Sequence, residues 1–308
     1  MFLRRTVVLI SAMLALGVVA QSQEKTAAAV GKQVLWEQVN IANRDLYRGP
    51  LAEGPQPMLE KATFIGKQHG GNNLKYRIKD GSGQEWVVKV ADESQSEVAA
   101  VRLLWAIGYR TETDLIVPSM NIVKIGNYKN ARFEARPDKI KRGERWSWTS
   151  NPFMDTKEFN GLKLMMALLN NWDLKDENNV ILQDGDVSYF IVSDLGSSFG
   201  KLADRSKSRS GRSVNKPEDF ARAEFVKGVN NGAVELHYYG MGEDLLKGIP
   251  VEHARWLADL LIQLSDKQIE DAFRAANYSA EDVALLSQAV RARINSLDKM
   301  TKPAETAN

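Results

Sequence analysis

Asn171-Trp172-Asp173-Leu174-Lys175-Asp176-Glu177-Asn178-Asn179-Val180-Ile181 and, further on, Ile191-Val192-Ser193-Asp194-Leu195-Gly196 are the stretches on which the reading of this chain turns. Just before the first, Glu158 to Asn170 sets Phe159, Leu162, Met165, Met166 and Leu169 on one side of a predicted helix. Two short apolar runs, Val180 to Leu182 and Tyr189 to Val192, flank the turn Asp184-Gly185-Asp186 and predict a small hairpin. The first polar stretch therefore links a helix to a hairpin, and the second leaves that hairpin. Asp173, Lys175, Asn178 and Asp194 are the polar residues these two turns bring into question.

Working back toward the N-terminus, the pattern changes to strands. Ala62 to Lys67, Leu74 to Lys79 and Glu85 to Val90, separated by turns rich in Gly, Asn and Asp, predict an antiparallel meander. The first turn runs Gly66-Lys67-Gln68-His69-Gly70-Gly71-Asn72, where Gly66, Gly70 and Gly71 would let backbone amides approach phosphate oxygens. A plain Gly-Asn hairpin turn accounts for the same residues. On the third strand, period-two alternation puts Lys89 on the face of Val87 and opposite Trp86, Val88 and Val90. A lysine between buried valines needs a partner, and Glu97 is the natural one, early on the helix expected over Ser94 to Tyr109. Further strands are expected at Met120 to Ile125 and Ala131 to Ala135, before Arg136-Pro137.

Taken in chain order, the glycine-rich turn from Gly66, Lys89 with Glu97, and the stretches from Asn171 and from Ile191 resemble the protein kinases and their atypical relatives. Asp173-Leu174-Lys175 with Asn178 is similar to the kinase catalytic loop. Asp194-Leu195-Gly196 resembles the metal-binding Asp-Phe-Gly triplet, with Leu for Phe. The resemblance implies an α+β, two-lobed protein-kinase-like fold with a strand-rich N-lobe and a helical C-lobe. It further implies a transferase that uses ATP and Mg2+ to phosphorylate a protein or small-molecule hydroxyl. In that scheme Asp173 acts on the acceptor hydroxyl and Lys175 neutralises charge on the transferred group. Asn178 and Asp194 offer magnesium the oxygen ligands it takes, and Lys89 with Glu97 clamps the nucleotide phosphates beside Gly66, Gly70 and Gly71. The likeness spans about residues 60 to 200, and its departures matter. Asn171-Trp172 stands where a His-Arg pair is expected, so activation by loop phosphorylation is not implied. Ser197-Ser198-Phe199-Gly200 follows in place of an Ala-Pro-Glu motif, which is more similar to phosphoinositide-kinase-like and HipA-like proteins. A catalytically silent pseudokinase serving as a binding module, and an adenylyl transferase using the same cleft, both fit the same residues.

The rest of the chain narrows the setting. Met1 to Ala20 has Arg4 and Arg5, an apolar run from Val7 and a small-residue exit, the pattern of a signal peptide too short for the roughly 20 apolar residues of a membrane span. An exported, periplasmic or secreted protein with no span after leader cleavage is expected, in a compartment poor in ATP. With 41 Lys plus Arg against 39 Asp plus Glu, nothing global indicates nucleic acid. The absence of cysteine excludes disulfides, thiolate metal sites and cysteine nucleophiles. The expected organisation is a leader over 1–20, an N-terminal extension over 21–58 with a helix around Gln33 to Asn43, an N-lobe over 59–136, a C-lobe over 137–300 and a tail over 301–308. His69, His237 and His253 are too dispersed for a histidine metal site. Lys201 to Lys216 is a basic stretch suited to an acidic acceptor or to a solvated loop. Ser265 with Gln268, and Ser279 with Asp282, signal two C-terminal helix starts.

Overall fold

The computed structural model describes residues 31–53, 57–68, 73–122, 126–202 and 211–303. The leader, Gly70, Gly71, His69 and residues 203–210 of the basic stretch lie outside the described residues.

The meander forms as its alternation dictates. Strands β2 (Thr63–Gln68), β3 (Lys75–Lys79) and β4 (Glu85–Lys89) pair antiparallel, with Ile78 opposite Trp86. Asp80 closes the β3–β4 turn by accepting from Ser82 N at 2.8 Å, Gln84 N at 3.1 Å and Trp86 Nε1 at 3.0 Å. That buried carboxylate satisfies a turn and a core indole at once. Helix α1 (Ser94–Ala106) follows, and then a hairpin of β5 (Asp114–Ile122) and β6 (Gly126–Arg136) completes a sheet of order β2-β3-β4-β6-β5. The hairpin is longer than the sequence predicts, and β5 begins well before Met120. Its pairing with β6 carries Pro118, which an edge strand tolerates because the missing N–H faces away from the ladder.

One face of this sheet is apolar. Tyr76, Ile78, Trp86, Val88, Ala131, Phe133 and Ala135 form its core. The opposite face carries Val87 and Lys89 and meets α1. After Pro137 a short strand β7 (Ile140–Arg142) leads to helix α2 (Lys157–Leu168), capped by Thr156, whose hydroxyl accepts from Phe159 N. The predicted hairpin is β8 (Asn179–Asp184) and β9 (Val187–Val192). Beyond it lie α3 (Pro217–Arg222), a hairpin of β10 (Val226–Asn230) and β11 (Ala233–Leu236), then α4 (Val251–Leu261), α5 (Asp266–Ala275) and α6 (Ala280–Thr301). Ser265 and Gln268 form the anticipated capping box, and Ser279 caps α6. Val283, Leu286, Val290, Ile294 and Leu297 are all buried along α6.

The helix expected around Gln33 to Asn43 is not there. Lys32–Val34 is instead strand β1, parallel to β9 with Val34 opposite Tyr189, and Trp36 Nε1 donates to Ile107 O at 2.6 Å. The edge of β9 offers unpaired backbone groups, and satisfying them outweighs a weak local helical preference. The β10–β11 hairpin was not anticipated either, although Asn231-Gly232, both at positive φ, is the turn signal that marks it. The fold is α+β and two-lobed, strand-rich first and mainly helical after. The strand that carries Lys89 precedes the helix that returns Glu97 to it.

Candidate active site

The loop between α2 and β8 is held by what ends the helix. Asn170 adopts a left-handed conformation (φ 51°), stops α2 and donates to Gly200 O at 2.9 Å. Beneath it, the buried Arg293 of α6 donates to Leu168 O and Asn170 Oδ1, both at 2.8 Å, and to Ala223 O at 2.9 Å. Burial lowers its guanidinium to about 9. This arginine lies on the otherwise apolar stripe of α6, a signal that was legible in the sequence. From there Asn171 Oδ1 accepts from Asp173 N at 3.0 Å, and the buried Tyr238 hydroxyl donates to Asn171 O at 2.7 Å. Trp172 carries the Arg212 guanidinium 4.9 Å above its ring, so the end of the basic stretch packs on this loop.

Within the loop, Lys175 Nζ reaches both Asp173 oxygens, at 2.8 and 2.9 Å. Asn178 Nδ2 donates to Asp173 O at 2.7 Å and to Asp173 Oδ2 at 3.2 Å, so these bonds engage the amide nitrogen and not Oδ1. The hairpin register, Asn179 opposite Val192, brings Asn178 beside the segment leaving β9. Ser193 N and Asp194 N both donate to Asn178 O, at 2.7 and 3.3 Å. Asp173, Lys175, Asn178 and Asp194 are thus brought together.

The N-terminal sheet reaches the same place. Lys89, 1% exposed, lies 3.0 Å from Glu97 Oε2, 3.8 Å from Asp194 Oδ1, and also pairs with Glu93. Helix α1 is docked by Ser96 Oγ, which donates to Gly196 O at 2.7 Å. Burial opposes charge on Lys89, yet Glu97 and Asp194 hold its ammonium above the ordinary range. Burial likewise works against the Asp194 carboxylate, while Lys89, Arg132 and the Gly196 N–H keep it below the usual value. Glu97 is pushed up by burial, with Arg132 and Lys89 opposing the shift. Asp194, Glu97 and Glu93 place carboxylate oxygens within 4.8 Å of one another. Glu97 is already paired with Lys89 and Arg132, and Glu93 with Lys89, so Asp194 is the carboxylate of the three whose oxygen chemistry suits magnesium.

Sequence reasoning missed what lies behind Lys89. Arg132 on β6 donates to Glu97 Oε1 and Glu134 Oε2, each at 2.7 Å, and stands 3.7 Å from Asp114 Oδ2. Arg142 donates to Glu112 Oε1 at 2.5 Å and to Ser193 Oγ at 2.9 Å, tying β7 to the residue before Asp194. The alternation Arg132-Phe133-Glu134-Ala135-Arg136 announced one charged and one apolar face; the partners of those charges came only with the fold. On the Lys89 face of β4, a cavity of about 340 Å3 extends past Val87 and is walled by Arg77, Glu112, Arg136, Arg142 and Leu182.

Gly66 falls inside β2, beside a register shift after Phe64, and not in the turn as expected. The bulge absorbs it because an extra residue in one strand must be accommodated locally. His253 Nδ1 lies 2.9 Å from Asn160 Nδ2, and His237 pairs with Glu224 at 3.3 Å, both away from these carboxylates.

No family profile matches the sequence, and no curated protein matches it. Among solved structures, a Helicobacter pylori proinflammatory kinase, CtkA, is similar over 78% of this chain and 96% of that one, at 12% identity and a TM-score of 0.47. The Rio2 kinase of Chaetomium thermophilum, solved as its ADP/Mg2+-phosphoaspartate complex, is similar over 76% of this chain and 72% of its own, at 13% identity and a TM-score of 0.34.

Proposed function

We propose that this chain is an exported phosphotransferase that moves the terminal phosphoryl group of ATP to a hydroxyl of a protein or small molecule. The observation that carries the reading is a junction: Lys89 lies 3.8 Å from Asp194 Oδ1, while Asp194 N donates to Asn178 O. A buried cation suited to phosphate, a carboxylate suited to metal and an acidic loop suited to a hydroxyl therefore share one place. Lys89, positioned by Glu97, holds the nucleotide phosphates. Asp194 and Asn178 Oδ1 would hold magnesium, which supplies charge neutralisation of the phosphates when bound. Asp173 orients the acceptor hydroxyl and takes its proton as that oxygen bonds to the γ-phosphorus. The bond from the γ-phosphorus to the bridging oxygen breaks, and ADP leaves with that electron pair. Lys175, on both oxygens of Asp173, balances charge on the group in transit.

The test is incubation of the mature protein with magnesium and ATP labelled at the α- or the γ-phosphate. Label reaching an acceptor, or the protein itself, from the γ but not the α position supports phosphoryl transfer. Transfer of the α label means adenylyl transfer. Nucleotide binding without transfer of either label means a silent binding module.

A further inference from the structure

Lys89 meets two glutamates from the start of α1, and only Glu97 is the partner that its strand and helix predict. Glu93 is the residue that caps α1, yet its side chain makes no capping hydrogen bond; its backbone carbonyl accepts from Ser96 Oγ at 2.9 Å and Glu97 N at 3.0 Å. The carboxylate turns inward. It pairs with Lys89 and accepts from Asn73 Nδ2 at 2.7 Å. Its carbons lie against Gly196, where an added Cβ would come within 2.9 Å of Glu93 Cγ and 3.0 Å of Cδ. One side chain thus joins the segment ahead of β3, the buried lysine and the glycine after Asp194.

We propose that the Glu93 carboxylate occupies, on Lys89, the position a nucleotide phosphate must take, so that nucleotide binds only by displacing it. The inference rests on the reading of Lys89 as the phosphate clamp. An ammonium has three donors, and here they face Glu97 at 3.0 Å, Glu93 and, more distantly, Asp194. An incoming polyphosphate meets a cation whose near donors are taken and three carboxylates that repel it. The two glutamates are not equally fixed. Glu97, 1% exposed, is also held by Arg132 at 2.7 Å, whereas Glu93, 20% exposed, has one cation and one neutral amide. Charge-assisted pairs are the stronger ones, so Glu93 is the group that yields. A carboxylate can hold this place because it presents anionic oxygens to the ammonium, as a phosphate does.

The experiment is calorimetric titration of the mature protein with magnesium and a non-hydrolysable ATP analogue, comparing the parent with Glu93→Gln and Asn73→Ala. Glutamine keeps the shape and removes the charge. If the closed arrangement holds about nine-tenths of the population, releasing it tightens apparent affinity about tenfold in Glu93→Gln. Asn73→Ala, which frees one of the two holds on Glu93, tightens it less. An unchanged Kd with a lowered melting temperature overturns the proposal and assigns Glu93 to the dipole of α1. Weaker binding in Glu93→Gln overturns it in favour of a carboxylate that ligates the metal. Absence of binding in parent and variants alike, at millimolar analogue, is a failure of the nucleotide reading itself and is distinct from equal binding by all three.

Discussion

Asn178 braces Asp173 from behind, donating through Nδ2 to the Asp173 carbonyl at 2.7 Å and to its Oδ2 at 3.2 Å. The carboxylate is consequently fixed by a neutral amide on one side and by Lys175 on the other. Its orientation is set by short-range bonds within one loop, before any substrate arrives.

Asp173→Ala is therefore expected to lower turnover by about 10²–10⁴-fold while leaving nucleotide affinity nearly unchanged. Asp194→Ala should lose both, because it removes a carboxylate next to Lys89 that is also the proposed metal ligand. Single-turnover rates and nucleotide titrations on the same preparations check this. Equal loss of affinity in the two variants would contradict the division of roles.

Glu97 and Lys89 should not be interchangeable in stability. Glu97→Ala leaves both Lys89 and Arg132 buried without their shared carboxylate, a loss on the order of 3–5 kcal/mol. Lys89→Met leaves Glu97 still paired with Arg132 and should cost clearly less. Urea midpoints, at constant m, measure the difference; the reverse order would refute it.

Arg293→Met removes the guanidinium that reaches carbonyls or amides of Leu168, Asn170, Phe220 and Ala223. Unsatisfied buried acceptors cost about 1–3 kcal/mol each, so a substantial loss of stability is expected. The loop after Asn170 should loosen as well. In samples cold enough to remain folded, hydrogen exchange at 171–178 should accelerate more than exchange in the β2–β6 sheet.

Asp114 is buried, with no hydrogen bond to either oxygen among the described residues, and Arg102 and Arg132 each stand 3.7 Å away. Burial raises its carboxyl to about 7, against the pull of the two arginines and with Glu97 and Glu112 adding to the rise. The folded state thus holds a proton that the unfolded chain releases near pH 4. Its contribution to stability is complete below that pH and is lost as pH rises to about 7. Urea midpoints at pH 5 and pH 8 should fall more steeply for the parent than for Asp114→Asn. Parallel behaviour of the two proteins would exclude the shift.

Mass spectrometry of the protein from its native host should find an N-terminus near Gln21, as the leader pattern of residues 1–20 implies. An intact Met1 would contradict export by cleavage.

The sequence by itself determined the elements that depend on neighbours in the chain. Alternation around Lys89 set its strand face, Ser265 and Ser279 set helix starts, and the Asp184-Gly185-Asp186 turn set a hairpin whose register brings Asn178 beside Asp194. The order of the four motifs followed from the same local signals. Tertiary structure decided what depends on pairing across distance. The segment from Lys32 is a strand because β9 offers it an open edge, and Gly66 lies on β2 because a bulge takes it up. Arg132 finds Glu97 only once β6 lies beside β4, and Arg293 reaches Asn170 only once α6 packs under α2. Glu93 reads in the sequence as an ordinary helix-start acid, and its turn toward Lys89 depends on where Asn73 and Gly196 come to rest. A charge's partner is fixed by three-dimensional distance, which periodicity along one strand or helix does not specify.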